Sequence, residues 1–432
     1  MAGTNNHKYS EETRFYCFMM LFTFFMGLLP FMFNYVVDPY EMNRVVDAGF
    51  DKKKISEKAH YPLWKVTHYP AKPPEVIVLG DSRARSLRDQ YWQGFGYSEA
   101  YNFAYGGATV REIYDTFQFV KDNKNLKSLV IGVQLRSFRQ NDRGGLNRVP
   151  EAIKLSQNPL KYYSNWFVSR VGVELLEKEF GPRISKLAEL GVVSSAHAEG
   201  ATQKNNISLG ELLDPENCES CMLPENVTSS VHPALAIAQD TYFGVDLGIW
   251  SRLWLPINID RELTEKFQKQ IARNAKSDWR AFKFSEKSWN YLVEISKWSK
   301  QNNVQLIFVI PPTISEMQNR VVEFGYGELN HDFRKRLSRL GDVVDFDFDS
   351  SFTRDLSRFT DAYHFNYKAS RLIVGEILQL VSNDEKAVAK ARKRRKDIIC
   401  PVLPKDITNK ISDDFMEVIE GQSCRIWRAR HG

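Results

Sequence analysis

The chain has little cysteine, five residues in 432, and little imbalance of charge, 59 basic against 53 acidic residues for a formal net charge of +6. An excess that small does not mark a nucleic-acid binder, and no nucleic-acid motif accompanies it, so nucleic acid is not expected as a partner. None of the eight histidines forms a His-x-x-x-His pair, which leaves a helix-borne zinc hydrolase unsupported. Long apolar runs are also absent, with one exception near the N-terminus. The remainder is 43% hydrophobic and 26% charged over the whole chain, enough to bury an ordinary core in one large domain or two of common size.

The exception runs from Phe15 to Val37, without a charged residue and rich in Phe, Met and Leu. As a helix it would extend roughly 34 Å, enough to cross bilayer hydrocarbon, and membrane helices tolerate a kink such as Pro30. A cleaved signal peptide is the alternative. The stretch Asn34-Tyr35-Val36-Val37-Asp38-Pro39-Tyr40 offers no small-x-small cleavage site, so a retained single-span anchor is expected. Flanking charge does not settle orientation, because Lys8 and Arg14 precede the run while Arg44 and Lys52, Lys53 and Lys54 follow it. Cysteine favours the outside. With Cys17 in the span, Cys218, Cys221, Cys400 and Cys424 remain, and disulfides Cys218–Cys221 and Cys400–Cys424 would suit an oxidising compartment. A four-Cys zinc site and free thiols are the alternatives. The expected arrangement is a single membrane crossing with the large domain extracytoplasmic.

Residues 1–14 form a short tail before the anchor at 15–37, and 38–74 read as a connector with prolines at 62, 70, 73 and 74. An alternation of strand and helix follows. Val76-Ile77-Val78-Leu79, ending at Gly80, has the length and flanks of a buried parallel strand. Tyr101–Ala104, Ser128–Val133, Gln305–Ile310 and Val343–Phe346 predict four more. Thr109-Val110-Arg111-Glu112 has the form of a capping box opening a helix. Helices are also expected near Ser285–Gln301, around Glu328–Leu340 and after Asn366. The fold class is therefore α/β, a five-stranded parallel sheet covered by helices on both faces. The domain spans 75–382, with a large insertion after strand three (138–283) carrying Trp166, Trp250, Trp254, Trp279 and the Cys-x-x-Cys. Those tryptophans suit either packing or glycan contact. Residues 383–432 form a basic extension, dense from Lys386 to Lys396, that reads as a solvated face or as an anchor for anionic lipid or acidic polysaccharide.

Two distant stretches carry the chemistry. Gly80-Asp81-Ser82 places a serine where a strand turns into a helix, facing unpaired backbone N–H groups. A serine hydroxyl needs a base to become nucleophilic. Asp361-Ala362-Tyr363-His364 supplies one, after the last strand and before the last helix. Loops leaving the C-terminal ends of parallel strands share one edge of the sheet, so His364 can reach Ser82 while Asp361 fixes its tautomer. An oxyanion hole needs preorganised donors; the Ser82 N–H, the Gly107 turn and the Gln134 amide are the candidates.

These blocks resemble the SGNH (GDSL-like) hydrolase superfamily over residues 75–137 and 303–382. The resemblance implies a flavodoxin-like sheet with Ser82 as nucleophile, His364 as base, Asp361 as acid and Gly107 at the oxyanion. Gln134 stands where that superfamily usually has Asn, and neither metal nor cofactor is implied. A single-span anchor before such a domain resembles the SGNH-like proteins of cell-envelope acylation, including alginate O-acetylation and teichoic acid D-alanyl transfer proteins. That implies a periplasmic or extracytoplasmic polysaccharide O-acetyltransferase, held by one span in the cytoplasmic (inner) membrane and supplied by a multispanning membrane-bound O-acyltransferase. A tethered esterase or deacetylase, or a non-catalytic assembly factor, are the alternatives.

Overall fold

The computed structural model describes residues 11–44, 49, 51–94, 99–140, 142–189, 263–381, 416–417 and 425–427. The expected disulfides, the Cys-x-x-Cys, Trp250, Trp254 and the basic run from Lys386 to Lys396 lie outside these residues. The chain divides into two compact units, Met1–Tyr69 with Arg148–Asn206, and Pro70–Asn147 with Ile207–Gly432.

Among its described residues the first unit is helical. It comprises α1 (Glu11–Val37), α2 (Lys53–Ala59) and α3 (Tyr61–Thr67) from the N-terminal segment. After the second unit's α4 (Ser82–Arg85), α5 (Asp89–Gly94) and α6 (Val110–Val120), it resumes with α7 (Val149–Ser156), α8 (Pro159–Tyr163) and α9 (Trp166–Glu189). Residues 38–74, expected as a connector, thus carry two helices, and part of the expected insertion joins them in one unit. Helix α1 includes a stretch, Thr13–Val37, long and apolar enough to cross a membrane. It ends at Asp38, which takes a positive φ of 40°. The buried Asp38 carboxylate accepts the Tyr162 hydroxyl at 2.9 Å and the N–H groups of Met42, Asn43 and Arg44 at 3.0–3.2 Å. Asp38 both terminates the helix and folds the following loop around itself. Asp38→Ala would strand four donors, one of them the buried Tyr162 hydroxyl. At about 1–3 kcal/mol for a buried donor left unpaired, the thermal midpoint of detergent-solubilised protein should fall clearly.

The second unit is built on a sheet of β1 (Val76–Gly80), β2 (Ala100–Asn102), β3 (Ser128–Gly132), β4 (Gln305–Ile310) and β5 (Asp342–Asp345). These five pair in parallel in the order β2-β1-β3-β4-β5. Two short strands from the C-terminal extension, β6 (Met416–Glu417) and β7 (Arg425–Trp427), continue the sheet antiparallel beyond β5. Strand β1 is apolar at every position for a physical reason. Val76 and Val78 face a core shared with Val130, Ile307, Val309 and Val344, while Ile77, Leu79, Leu129 and Ile131 on the opposite face are equally buried. A sheet covered on both sides has no polar face to alternate. Helices α10 (Glu265–Trp279) and α15 (Tyr367–Val381) supply Phe267, Ile271, Ile373 and Ile377 to the first core. Between them in the chain lie α11 (Glu286–Gln301), α12 (Ser315–Glu323), α13 (Gly327–Ser338) and α14 (Ser351–Arg354).

Helix starts follow local chemistry. Thr109 accepts the Glu112 N–H while Glu112 accepts the Thr109 N–H, closing the capping box before α6. Ser285 caps α11 and the Asn366 side chain caps α15 through the Ala369 N–H at 3.1 Å. The strand order reverses between β1 and β3, since β2 lies on one side of β1 and β3 on the other. In parallel sheets the crevice at such a switch point, outside the C-terminal strand ends, is where ligands bind.

Candidate active site

Strand β1 ends at Gly80, whose φ of 145° and close surroundings only glycine accommodates. A Cβ there would lie 2.6 Å from the Ala84 Cβ and 2.8 Å from the Gly132 carbonyl oxygen. Gly132 pairs with Gly80 across the sheet, and a Cβ on it would also meet Ala84 at 2.6 Å. The two glycines therefore let α4 lie directly on the strand ends. Asp81 caps that helix by accepting the Arg83 N–H at 3.0 Å, and Ser82 is its first residue. A first helical residue has an N–H with no intrahelical acceptor.

Ser82 and His364, 282 residues apart, meet at this edge: the Ser82 Oγ is 2.8 Å from His364 Nε2. His364 Nδ1 lies 2.9 Å from each Asp361 carboxylate oxygen. With its proton on Nδ1, the ring donates to Asp361 and leaves Nε2 to accept from the serine. Asp361 is 1% exposed and also accepts the N–H groups of Tyr363 and His364 at 2.8 and 3.0 Å. Burial alone would raise its pKa, yet the adjacent His364 charge and these donors hold it below the ordinary carboxylate value.

Further contacts fix the loop that carries the histidine. The Thr360 N–H donates to the His364 carbonyl at 2.8 Å, the Ala362 N–H to the Gln270 side chain at 2.8 Å, and Lys266 to the Thr360 carbonyl at 3.0 Å. Gln270 and Lys266 belong to α10, and nothing in the sequence singled them out. From the same helix, Asp278 accepts the Tyr363 hydroxyl at 3.1 Å and the Arg136 guanidinium at 2.8 Å. The Arg136 guanidinium also lies 5.1 Å from the centre of the Tyr363 ring.

The remaining sequence candidates separate. Gly107, at φ 68°, lines a cavity of about 290 Å³ together with Ser82, Asp81, Arg136, Arg139 and Asp278. Gln134 is buried and bridges elsewhere: its carbonyl oxygen accepts from Arg83 and its amide donates to the Pro311 carbonyl at 2.7 Å. The expected oxyanion donor thus acts as a bracket between β3, α4 and the end of β4. Arg83, directly after the nucleophile, is 2% exposed and forks onto Asp81 and Gln134. Burial pushes the Asp81 pKa up, but the Arg83 guanidinium outweighs it and brings the value down to about 2.

A carboxylate whose pKa is lowered on folding stabilises the native state above its ordinary pKa, and that contribution fades as pH falls through the folded value. For Asp81 the window runs from roughly pH 4 down to about 2, and Asp361 adds in the same direction. Thermal scans should accordingly show stability dropping steeply below about pH 4, and Asp81→Asn, less stable at neutral pH, should show a shallower acid slope. The sequence matches no protein-family model, and no curated protein matches it.

Proposed function

We propose that the chain is a membrane-anchored serine acyltransferase of the SGNH type, which moves an acetyl group onto a hydroxyl of a cell-envelope or secreted polysaccharide. The observation that carries this reading is the Ser82–His364–Asp361 relay, 2.8 Å and 2.9 Å at its two links. Ser82 Oγ attacks the acyl carbonyl as His364 Nε2 takes its proton, and Asp361 holds the imidazolium that forms. The Ser82 N–H and the Gly107 turn receive the oxyanion. Collapse expels the donor's leaving group, which takes the proton from His364, and leaves acyl-Ser82. An acceptor hydroxyl then gives its proton to His364 and attacks the acyl-enzyme, releasing the ester and restoring the serine.

The lining of the cavity supports a short acyl group and a hydroxyl-rich acceptor. Its charged side chains, Asp81, Arg136, Arg139, Asp142 and Asp278, offer fixed donors and acceptors, and the lining among the described residues is mainly polar. The apolar α1 supports anchoring in a membrane; in the proposed arrangement the sheet unit lies outside the cytoplasm, with a multispanning O-acyltransferase delivering the acyl group. A second reading, hydrolysis of acylated glycans, is favoured by the His364 side chain, 24% exposed and so within reach of water. Incubating purified full-length protein with an acetyl ester donor and a panel of oligosaccharides tests both. Acetylated oligosaccharide supports transfer, whereas free acetate with unmodified glycan points to hydrolysis. Neither product from well-folded protein would overturn the enzymatic reading.

A further inference from the structure

We infer that the α8–α9 corner is a second membrane contact, with Leu160 and Trp166 seated in the bilayer interface beside the exit of α1. The inference rests on reading α1 as a membrane span and adds to it a surface of the helical unit. After Thr23, the next residue of α1 with a polar side chain is Asn34. From Phe15 to Asn34 the helix rises about 28 Å at ~1.5 Å per residue, close to the ~30 Å hydrocarbon thickness of a bilayer. Asn34 therefore marks the height at which the helix leaves the lipid tails.

Protein meets the helix at that height. The Asn34 amide donates to the carbonyls of Tyr163 and Asn165 at 2.7 and 3.2 Å, and the Tyr163 ring packs edge-on against Phe31 and Tyr35 at 5.3 Å each. About two helical turns past Asn165, Gly172 faces Phe33 so closely that a Cβ would approach its ring to 2.9 Å. The turn from Tyr163 to Asn165 is thus locked to α1 at the interface. Flanking it, Leu160 and Trp166 are 71% and 77% exposed, although each is a large apolar side chain within a few residues of buried neighbours. Trp166 directly follows Asn165, whose carbonyl holds Asn34. Tryptophan and tyrosine concentrate at membrane–water interfaces, where an apolar ring and a polar edge are both satisfied. Lys161 and Arg170, exposed beside them, suit the phosphate level. Lipid is the occupant because α8 and α9, which carry the patch, pack directly against α1, whose large apolar side chains from Phe15 to Met32 are mostly exposed. A span clamped in this way would hold its unit in a fixed attitude to the membrane.

The test places photoreactive p-benzoylphenylalanine singly at Leu160, Trp166, Phe22 or Lys154 of the full chain, reconstituted as the sole protein in phosphatidylcholine–phosphatidylglycerol vesicles. Phe22 reports the span, and Lys154, exposed on α7 of the same unit, reports water. Lipid adducts at Phe22, Leu160 and Trp166 severalfold above those at Lys154 are expected. Adducts at Phe22 with Leu160 and Trp166 no higher than Lys154 would overturn the inference and leave the span intact. Absence of adducts at Phe22 would remove the span and the inference together. Crosslinks from Leu160 or Trp166 to a second copy of the chain in place of lipid would also overturn it.

Discussion

Ser82→Ala is expected to lower acyl-transfer turnover by roughly 10⁴- to 10⁶-fold while leaving the thermal midpoint nearly unchanged. The hydroxyl contributes one hydrogen bond, to His364 at 2.8 Å, so its removal disturbs no packing. His364→Ala should cost about as much, and the double variant little more than either, because residues that work as a relay fail together. Asp361→Asn is the more discriminating change. The two backbone donors at 2.8 and 3.0 Å would hold the asparagine carbonyl oxygen, turning its NH₂ toward His364 Nδ1. That pairing forces the imidazole proton onto Nε2, facing Ser82, where it cannot accept the serine proton. A loss of about 10⁴-fold in kcat with the fold retained is the expected result, measured by initial rates on an acetyl ester. Roughly additive losses in the double variant would show that the residues do not act in one step.

The second large effect lies behind the nucleophile. Gly80→Ala places a methyl 2.6 Å from the Ala84 Cβ and 2.8 Å from the Gly132 carbonyl, at a φ of 145°. Backbone is one of the two neighbours, so it cannot swing aside. Overpacking and a disallowed φ together are worth about 2–5 kcal/mol, and relief would come by lifting α4, which carries Ser82. Both the urea midpoint and turnover should fall. Gly144→Ala provides the comparison: its φ is also positive, at 63°, but its Cβ would meet nothing within 4 Å. That variant should lose only about 1 kcal/mol and keep its activity. Equal losses in the two would contradict the steric account of the strand-end glycines.

The contrast between these glycines also shows what sequence reading can reach. The five parallel strands were legible because a strand buried on both faces is a short apolar run with sharp ends, and Val76–Gly80 and Gln305–Ile310 are such runs. Placement of Ser82 and His364 on one edge followed from the parallel topology, with no knowledge of the intervening residues. Side-chain partners followed less well. Arg83, beside the nucleophile, is drawn inward by the Asp81 carboxylate and the Gln134 carbonyl, and no local pattern announces a buried guanidinium. Gln134 sat at the right strand end for an oxyanion donor, but its orientation depends on Arg83 and Pro311, partners that lie 51 residues before it and 177 after. Lys266, Gln270 and Asp278 lay in a stretch read as insertion, where no local pattern shows that one helix face will clamp the histidine loop. The helical unit was hidden for the same reason. Residues 53–67 and 149–189 join only through long-range packing, and the Asp38–Tyr162 bond closes a gap of 124 residues. Strands β6 and β7, of two and three residues, are too short to carry a periodic signal.

In the proposed reaction the Ser82 oxygen itself carries the acyl group between donor and acceptor. Rapid acid quenching of the full-length protein during turnover of an acetyl ester, followed by peptide mass spectrometry, reads this directly. An acetyl group should appear on the peptide containing Ser82, accumulate when no acceptor is present, and disappear when an acceptor oligosaccharide is added. Continued turnover with an unmodified Ser82 peptide, or with acetyl on a different residue that survives Ser82→Ala, would contradict it.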